Sequence, residues 1–284
     1  MSTWNVRSAL KWAHETLLGE GVGEARITAE MLLAHVLDVD RFRLYLQPDL
    51  ELNRQQSTQF RRLIEQRGSG IPVQHLIGNV SFMGHTLKVD GTVLIPRFET
   101  EELVEQTLKR LPDEKGVQFL DAGTGSGAIA ISLAKARLNV SGVALDHSEA
   151  ALEMARKNAV LNRVHHRLKF VCSDWLSEID AVFDVIVANP PYIPSADIQA
   201  LSREVRDHDP RQALDGGPDG LDAIRTLAAQ ATSRLKPDGW LLLEIGQGQA
   251  ASVSSLLKEL GFGSVSVYPD ISRIDRMIEA RWEG

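Results

Sequence analysis

One pattern recurs along the C-terminal part of the chain: a short apolar run, then a glycine or an acidic residue, then in most cases a helical stretch. After residue 117 the apolar runs read VQFLDA, VSGVALD, LKFVCSD, FDVIVANP and GWLLLEIG. Runs built almost entirely from Val, Ile and Leu are typical of parallel strands buried on both faces. The pattern therefore predicts an α/β fold with a parallel sheet that helices cover on both sides.

The same fold class predicts where a ligand binds. Open parallel sheets bind ligands beyond the C-terminal ends of their strands. In this chain the segments at those ends read DAGTGSG, DHS, SDW, NPPY and EIGQG. The candidate functional side chains are therefore those in these five segments.

The first of these segments is a glycine-rich turn between a strand and a helix. Gly123, Gly125 and Gly127 let the backbone approach a ligand closely. As Gly-x-Gly-x-x-Ala the turn fits a dinucleotide fingerprint, with Asp146 at the end of the second strand suited to a ribose diol. As Asp-x-Gly-x-Gly-x-Gly it fits an S-adenosylmethionine site. The turn alone leaves both interpretations open.

The third predicted strand carries a cysteine and ends in an acid beside an aromatic ring. Cys172 is the single cysteine of the chain, which excludes an internal disulfide, and we expect it to be a buried thiol in that strand. Asp174 and Trp175 follow it. The acid can accept a hydrogen bond from an adenine amino group while the ring packs along the base.

The fourth strand runs into Asn189, Pro190, Pro191 and Tyr192, a sequence that strand formation does not require. A planar NH2 group is a poor nucleophile, so its position must supply much of the rate of methyl transfer. The Asn189 side-chain oxygen can accept one N–H, and a backbone carbonyl in the Pro190–Pro191 segment can accept the other. Tyr192 can lie flat against the acceptor plane. NPPY thus favours methyl transfer to an amide or amino nitrogen.

The N-terminal region shows a different period. Apolar residues at helical spacing predict short packed helices, and a further helix is predicted for LNRQQSTQFRRLIEQR, with Arg67 largely off its apolar face. From about residue 79 the sequence alternates and predicts a hairpin. We expect a helical domain at residues 1–75, a hairpin and linker at 76–95 and a catalytic domain at 96–284.

Composition excludes several classes of protein. The net charge of −7 disfavours a protein that binds nucleic acid mainly through phosphates. The N-terminal segment MSTWNVRSALKWAHETLL lacks the apolar core of a signal peptide or membrane span, so we expect a cytoplasmic protein. The only histidines close together in the sequence are His165 and His166, and adjacent side chains point apart, so we expect no metal site.

Taken together, the motifs resemble the S-adenosylmethionine-dependent N5-glutamine methyltransferases of peptide chain release factors, the bacterial PrmC or HemK family. The resemblance covers nearly the whole chain. It rests on VLIPRFETEELVE, DAGTGSGAIAISLA, NPPYI, LDGGPDGLDAI and LLLEIGQGQ, which occur in this order. It implies a Rossmann-like class I methyltransferase domain with a small helical N-terminal domain that helps to dock the release factor.

The resemblance also implies roles for individual residues. Those implied to hold S-adenosyl-L-methionine are Gly123, Thr124, Gly125, Ser126, Gly127, Asp146, Trp175 and Asn189. Those implied to grip the glutamine of the Gly-Gly-Gln loop are Asn189, Pro190, Pro191 and Tyr192, of which Asn189, Pro190 and Tyr192 are the candidate catalytic residues. One departure is Phe98, where the family usually has proline, and it leaves the rigidity of the neighbouring segment open.

Two questions remain open from the sequence. The connection from Ile193 to Pro218 is long and charged, which fits a lid or a protein-facing loop, or else a solvated surface loop. NPPY would also suit an adenine-N6 methyltransferase acting on nucleic acid, and a ribosomal-protein glutamine would need identical chemistry. The acidic balance and the lack of an evident target-recognition domain argue against the adenine substrate, and we expect no direct contact to nucleic acid or membrane. The sequence separates the two glutamine substrates poorly.

Overall fold

The computed structural model describes residues 4–114 and 116–284. The chain forms two compact units. One extends to Asn79 and includes Ser202–His208, and the other comprises Val80–Leu201 and Asp209–Gly284. Among the described helices, none is both long and apolar enough to cross a membrane.

The first unit is helical, as the apolar spacing predicts. It contains α1 (Val6–Gly19), α2 (Ala25–Leu37), α3 (Arg41–Leu46), α4 (Arg54–Gly68) and α5 (Val73–Ile77). Asn5 and Asn53 each close a capping box at the start of α1 and α4, which satisfies backbone N–H groups that the helix leaves free. Phe60 and Ile64 of α4 pack with α1 and α2 in one apolar core.

Arg67 departs from its predicted position off the apolar face of α4. Its side chain is buried, and it donates hydrogen bonds to the carbonyl of Ile71 (3.1 Å) and to the carboxylate of Glu204 (2.7 Å). Glu204 lies on α9 (Arg203–His208), within the Ser202–His208 part of the same unit. Helical periodicity could not reveal this partner because it is 137 residues away in sequence.

The predicted hairpin is present as β1 (Asn79–Phe82) and β2 (His85–Lys88), followed by α6 (Phe98–Arg110). The main sheet then follows with β3 (Val117–Ala122), β4 (Val140–Asp146), β5 (Leu168–Cys172), β6 (Phe183–Ala188), β7 (Leu235–Glu244), β8 (Phe262–Pro269) and β9 (Asp275–Trp282). Its strand order is β5-β4-β3-β6-β7-β9-β8. The five predicted strands pair in parallel, whereas β9 pairs antiparallel with both β7 and β8.

Each central strand is apolar on both faces because both faces are covered. In β3, Phe119 packs into the core on one side of the sheet and Leu120 into the core on the other. In β6, Val185 and Ile186 divide in the same way. The covering helices include α7 (Ala128–Ala136), α8 (Glu149–Leu161), α10 (Asp222–Ala231) and α11 (Ala250–Glu259).

The expectation of a buried thiol at Cys172 is wrong. The residue is exposed and lies at the last position of β5, which is an edge strand of the sheet. An edge strand has a neighbour on one side only, so its end is not enclosed as a central strand would be.

Candidate active site

A cavity of about 300 Å³ opens beyond the C-terminal ends of β3, β4, β5 and β6. The chain runs outward from β3 to β5 on one side and continues from β6 to β7 on the other, so the cavity lies where the strand order reverses. Seven of the predicted site residues line it, namely Gly123, Gly125, Asp146, Asp174, Trp175, Asn189 and Pro191. The fold thus brings the glycine turn, the acid, the aromatic ring and the NPPY segment to one cavity.

The other five predicted residues are not among those that line this cavity, and of these Tyr192 is partly buried. Thr124 and Ser126 are buried under the glycine turn, and Pro190 is buried at the end of β6. Gly127 precedes α7 with a φ of +84°, and a Cβ there would stand 3.0 Å from Ile131. Glycine is therefore favoured at 127 by its backbone conformation, and a side chain there would also press on Ile131 and Ala155.

The glycine turn is held onto the end of β4 by backbone and carboxylate contacts. The N–H groups of Gly123 and Thr124 both donate to the carbonyl of Leu145. Asp146 accepts the N–H of Gly125 at Oδ2 and that of Ser148 at Oδ1, each at 2.9 Å. Asp146 therefore fixes the turn while its partly exposed carboxylate faces the cavity.

Beneath the turn lies the buried carboxylate of Asp121, the acid of the Asp-x-Gly-x-Gly-x-Gly pattern. Asp121 Oδ2 accepts hydrogen bonds from the Thr124 hydroxyl (2.6 Å) and the Ala130 N–H (3.0 Å). Within the described part of the chain, its Oδ1 has no hydrogen-bond partner. Burial raises the pKa of Asp121 from its ordinary 3.8 to about 7, and the negative charge of Asp146 adds to this effect.

The side chain of Asn189 belongs to a buried hydrogen-bond network. Its Nδ2 donates to the Thr100 hydroxyl (3.0 Å), and that hydroxyl donates to Oε2 of Glu244 (2.7 Å). The Tyr192 hydroxyl donates to Oε1 of the same carboxylate (3.2 Å). Burial raises the pKa of Glu244, and burial together with the Glu244 charge raises the pKa of Tyr192.

The backbone after Asn189 is held by a second set of contacts. Gln249 donates to the carbonyls of Tyr192 (2.9 Å) and Gly220 (3.3 Å), and its own oxygen accepts the N–H of Gly246 (2.7 Å). A Cβ on Gly216 would stand 2.8 Å from the Pro191 carbonyl oxygen. A Cβ on Gly220 would likewise stand 2.3 Å from the Tyr192 carbonyl oxygen. Because the carbonyls of Pro191 and Tyr192 both face glycines, the Pro190 carbonyl is our candidate for the second acceptor.

Part of the long connection also forms a wall of the cavity. Pro210, Gln212 and Ala213 line it, and Gln212 lies 2.9 Å from a ring nitrogen of His147. Asp209, directly before Pro210, has a buried carboxylate that forms an ion pair with Arg97 (2.7 Å). This part of the 193–218 connection is therefore more than a solvated surface loop.

Known proteins are similar to this chain over most of its length. Residues 8–78 match the family model of the PrmC N-terminal domain, and residues 102–206 match that of the methyltransferase small domain. The release factor glutamine methyltransferase of Geobacter sulfurreducens is 40% identical over 98% of this chain and 97% of its own length. That of Xylella fastidiosa (strain Temecula1) is 42% identical over 91% and 94%. The chain belongs to the release factor glutamine methyltransferase family. The predicted resemblance is thereby confirmed.

Solved structures agree on the fold. A methyltransferase from Pyrococcus furiosus superposes with a TM-score of 0.53 at 17% identity, over 71% of this chain and 91% of that one. A Thermus thermophilus 16S rRNA methyltransferase in complex with AdoMet and guanosine also gives a TM-score of 0.53, at 22% identity, over 72% and 49%. The predicted class I methyltransferase fold is therefore confirmed.

Proposed function

We propose that this protein transfers a methyl group from S-adenosyl-L-methionine to the side-chain amide nitrogen (N5) of the glutamine in the Gly-Gly-Gln motif of a peptide chain release factor. The observation that carries the proposal is one shared cavity. Asn189 and Pro191 line the same space as Gly123, Gly125 and Asp146. An acceptor held by the NPPY segment would therefore meet a ligand held by the glycine turn.

The described residues fit S-adenosyl-L-methionine, which supplies a sulfonium methyl group as the electrophile when bound. Asp146 faces the cavity with its carboxylate already oriented by two N–H groups, and can accept hydrogen bonds from ribose hydroxyls. Trp175 offers a ring face for the adenine. Asp121 supports the turn from beneath, because its Oδ2 accepts hydrogen bonds from the Thr124 hydroxyl and the Ala130 N–H.

The protein's contribution to the acceptor is orientation and charge stabilisation. The lone pair of an amide nitrogen is delocalised into the carbonyl, so the group must be held in a reactive geometry. Asn189 Oδ1 and the Pro190 carbonyl accept its two N–H groups. As the nitrogen attacks it gains positive charge, and the same two acceptors hold it more tightly in the transition state than in the ground state.

The remaining parts of the proposal concern the protein substrate. The helical first unit helps to dock the release factor, supported by the match of residues 8–78 to the PrmC N-terminal domain model. The enzyme acts in the cytoplasm and modifies a component of translation termination, because its substrate is a release factor. It needs no direct contact with nucleic acid.

The test is methyl transfer to a full-length release factor from methyl-labelled S-adenosyl-L-methionine. Mass spectrometry is expected to find one added methyl group on the glutamine of the Gly-Gly-Gln peptide. A release factor with Glu in place of that Gln is the matched control, because it lacks the NH2 group. Label on DNA adenine or on a ribosomal-protein glutamine, with none on the release factor, would contradict the proposal.

A further inference from the structure

We propose that Thr100 and Glu244 are positioning residues that fix the Asn189 amide with its oxygen toward the acceptor nitrogen. This inference rests on the proposed function, because it concerns how the same site recognises an NH2 group. It adds two residues, from α6 and from the end of β7, to the predicted NPPY segment.

The argument follows from the number of hydrogens available. A hydroxyl has one hydrogen to donate. That of Thr100 goes to the Glu244 carboxylate at 2.7 Å, so towards Asn189 the Thr100 oxygen can only accept. Asn189 must therefore present its NH2 group to Thr100, as it does at 3.0 Å. The amide oxygen, on the opposite branch of the side chain, is left for the cavity that Asn189 lines.

The reverse orientation would defeat recognition of the acceptor. With the amide turned round, Asn189 would present N–H groups to the N–H groups of the acceptor. An isolated Asn side chain has no strong preference between the two orientations, since its oxygen and nitrogen differ little in size. The preference must come from its surroundings, and here it comes from a carboxylate that cannot donate while it is ionised.

Burial makes this network specific. Thr100 and Glu244 are 4% and 2% exposed, so water does not compete for their hydrogen bonds. The second carboxylate oxygen is occupied by the Tyr192 hydroxyl at 3.2 Å. Glu244 therefore accepts from two residues at once and sets the direction of both bonds, one of which leads to Asn189.

The first test compares two threonines on the same helix. Thr100→Val removes the hydroxyl with little change in volume and is expected to lower kcat about tenfold or more, with the dissociation constant for S-adenosyl-L-methionine unchanged. Thr100→Ser keeps the hydroxyl and is expected to recover most of this loss. Thr107→Val is the matched control, because Thr107 is also buried on α6 but donates to the Leu103 carbonyl.

The second test asks whether Thr100 acts through Asn189. In an Asn189→Ala background, Thr100→Val is expected to cause no further loss of kcat, because the side chain that it positions is gone. A loss that multiplies with that of Asn189→Ala would overturn the proposal, since it would mean an independent structural role.

A third test needs no acceptor and so separates this inference from the proposed function. The side-chain NH2 signals of Asn189 in nitrogen-15-labelled protein are identified by their absence from Asn189→Ala. They are expected to shift in Thr100→Val, and equally in Thr100→Ala should the valine variant not fold, and to stay in place in Thr107→Val. Unchanged signals with wild-type kcat would overturn the proposal. Wild-type enzyme that leaves Gly-Gly-Gln unmethylated would instead refute the proposed function.

Discussion

Replacing Gly220 by alanine is expected to lower the rate of methyl transfer strongly and the free energy of unfolding modestly. Gly220 is buried with a φ of +78°, and a Cβ there would stand 2.3 Å from the carbonyl oxygen of Tyr192. Ordinary contact needs more than 3 Å, so the backbone at Tyr192 must move by roughly 1 Å to make room. Such a shift would break the 2.9 Å bond from Gln249 to the same carbonyl.

The size of the effect follows from two separate costs. The left-handed backbone costs an alanine about 1 to 2 kcal/mol of stability. The displacement of the NPPY segment acts on the reaction, where misplacing a reacting group by about 1 Å can lower the rate by about 100-fold. We therefore expect Gly220→Ala to fold with modestly reduced stability and to methylate about 100-fold more slowly.

Gly248→Ala provides the matched control. Gly248 has a φ of +83°, nearly the same as Gly220, but a Cβ there meets nothing within 4 Å. This variant pays the backbone cost without the collision. The assay is the initial rate of methyl transfer to a release factor at saturating S-adenosyl-L-methionine, alongside urea denaturation of both variants. Equal turnover by the two variants would refute the argument that Gly220 holds the Tyr192 carbonyl in place.

Three further predictions concern single side chains. Burial raises the pKa of Asp121 from 3.8 to about 7, so between these pH values the folded protein retains a proton that the unfolded chain loses. The contribution of Asp121 to the free energy of unfolding therefore falls as the pH rises from about 4 to about 7. Asp121→Asn is expected to flatten that fall in urea denaturation at a series of pH values, and an unchanged slope would contradict it. Phe98→Pro is expected to raise the free energy of unfolding by about 0.5 to 1 kcal/mol. Proline fits here because Phe98 is the first residue of α6 and the preceding Arg97 is extended, with ψ at 151°. A lower urea midpoint would show that the phenylalanine has a structural role. Asn189→Ala is expected to lower single-turnover rates by about 100-fold or more while changing the calorimetric affinity for S-adenosyl-L-methionine much less; a wild-type rate would remove Asn189 from the chemistry.

The parts of the fold that the sequence predicts are those that depend on local pattern. The five parallel strands were visible as continuous apolar runs because burial on both faces leaves no polar alternation. The pattern does not predict β8 and β9, since Phe262–Pro269 and Asp275–Trp282 mix polar with apolar residues and read as less regular segments. Arg67 and Cys172 were misplaced for a related reason: their environments depend on a distant partner and on strand order, which periodicity does not carry.

The candidate site divides in the same way. The sequence predicts its glycine turn, Asp146, Trp175 and Asn189, because each lies at or just after the C-terminal end of a strand, where open parallel sheets bind ligands. The supporting residues could not be predicted in this way. Gly216 and Gln249 act on NPPY through carbonyl contacts, and no strand-end pattern marks either residue, because Gly216 lies in the long connection and Gln249 lies beyond the EIGQG segment.

The surrounding residues determine how the acceptor groups of the NPPY segment are oriented. By itself it supplies an amide that can point either way and carbonyls whose directions are undetermined. The Thr100 hydroxyl, 89 residues earlier in the chain, donates its one hydrogen to Glu244 and can therefore only accept a hydrogen bond from Asn189. This contact directs the NH2 group of Asn189 to Thr100 and its oxygen to the cavity. The carbonyls of Pro191 and Tyr192 face Gly216 and Gly220, which leaves the Pro190 carbonyl as the proposed second acceptor. In the proposed mechanism, selectivity for an NH2 group therefore depends on a buried polar network drawn from three segments, and a chain that kept NPPY but lost Thr100 or Glu244 would keep the motif without the orientation of its amide.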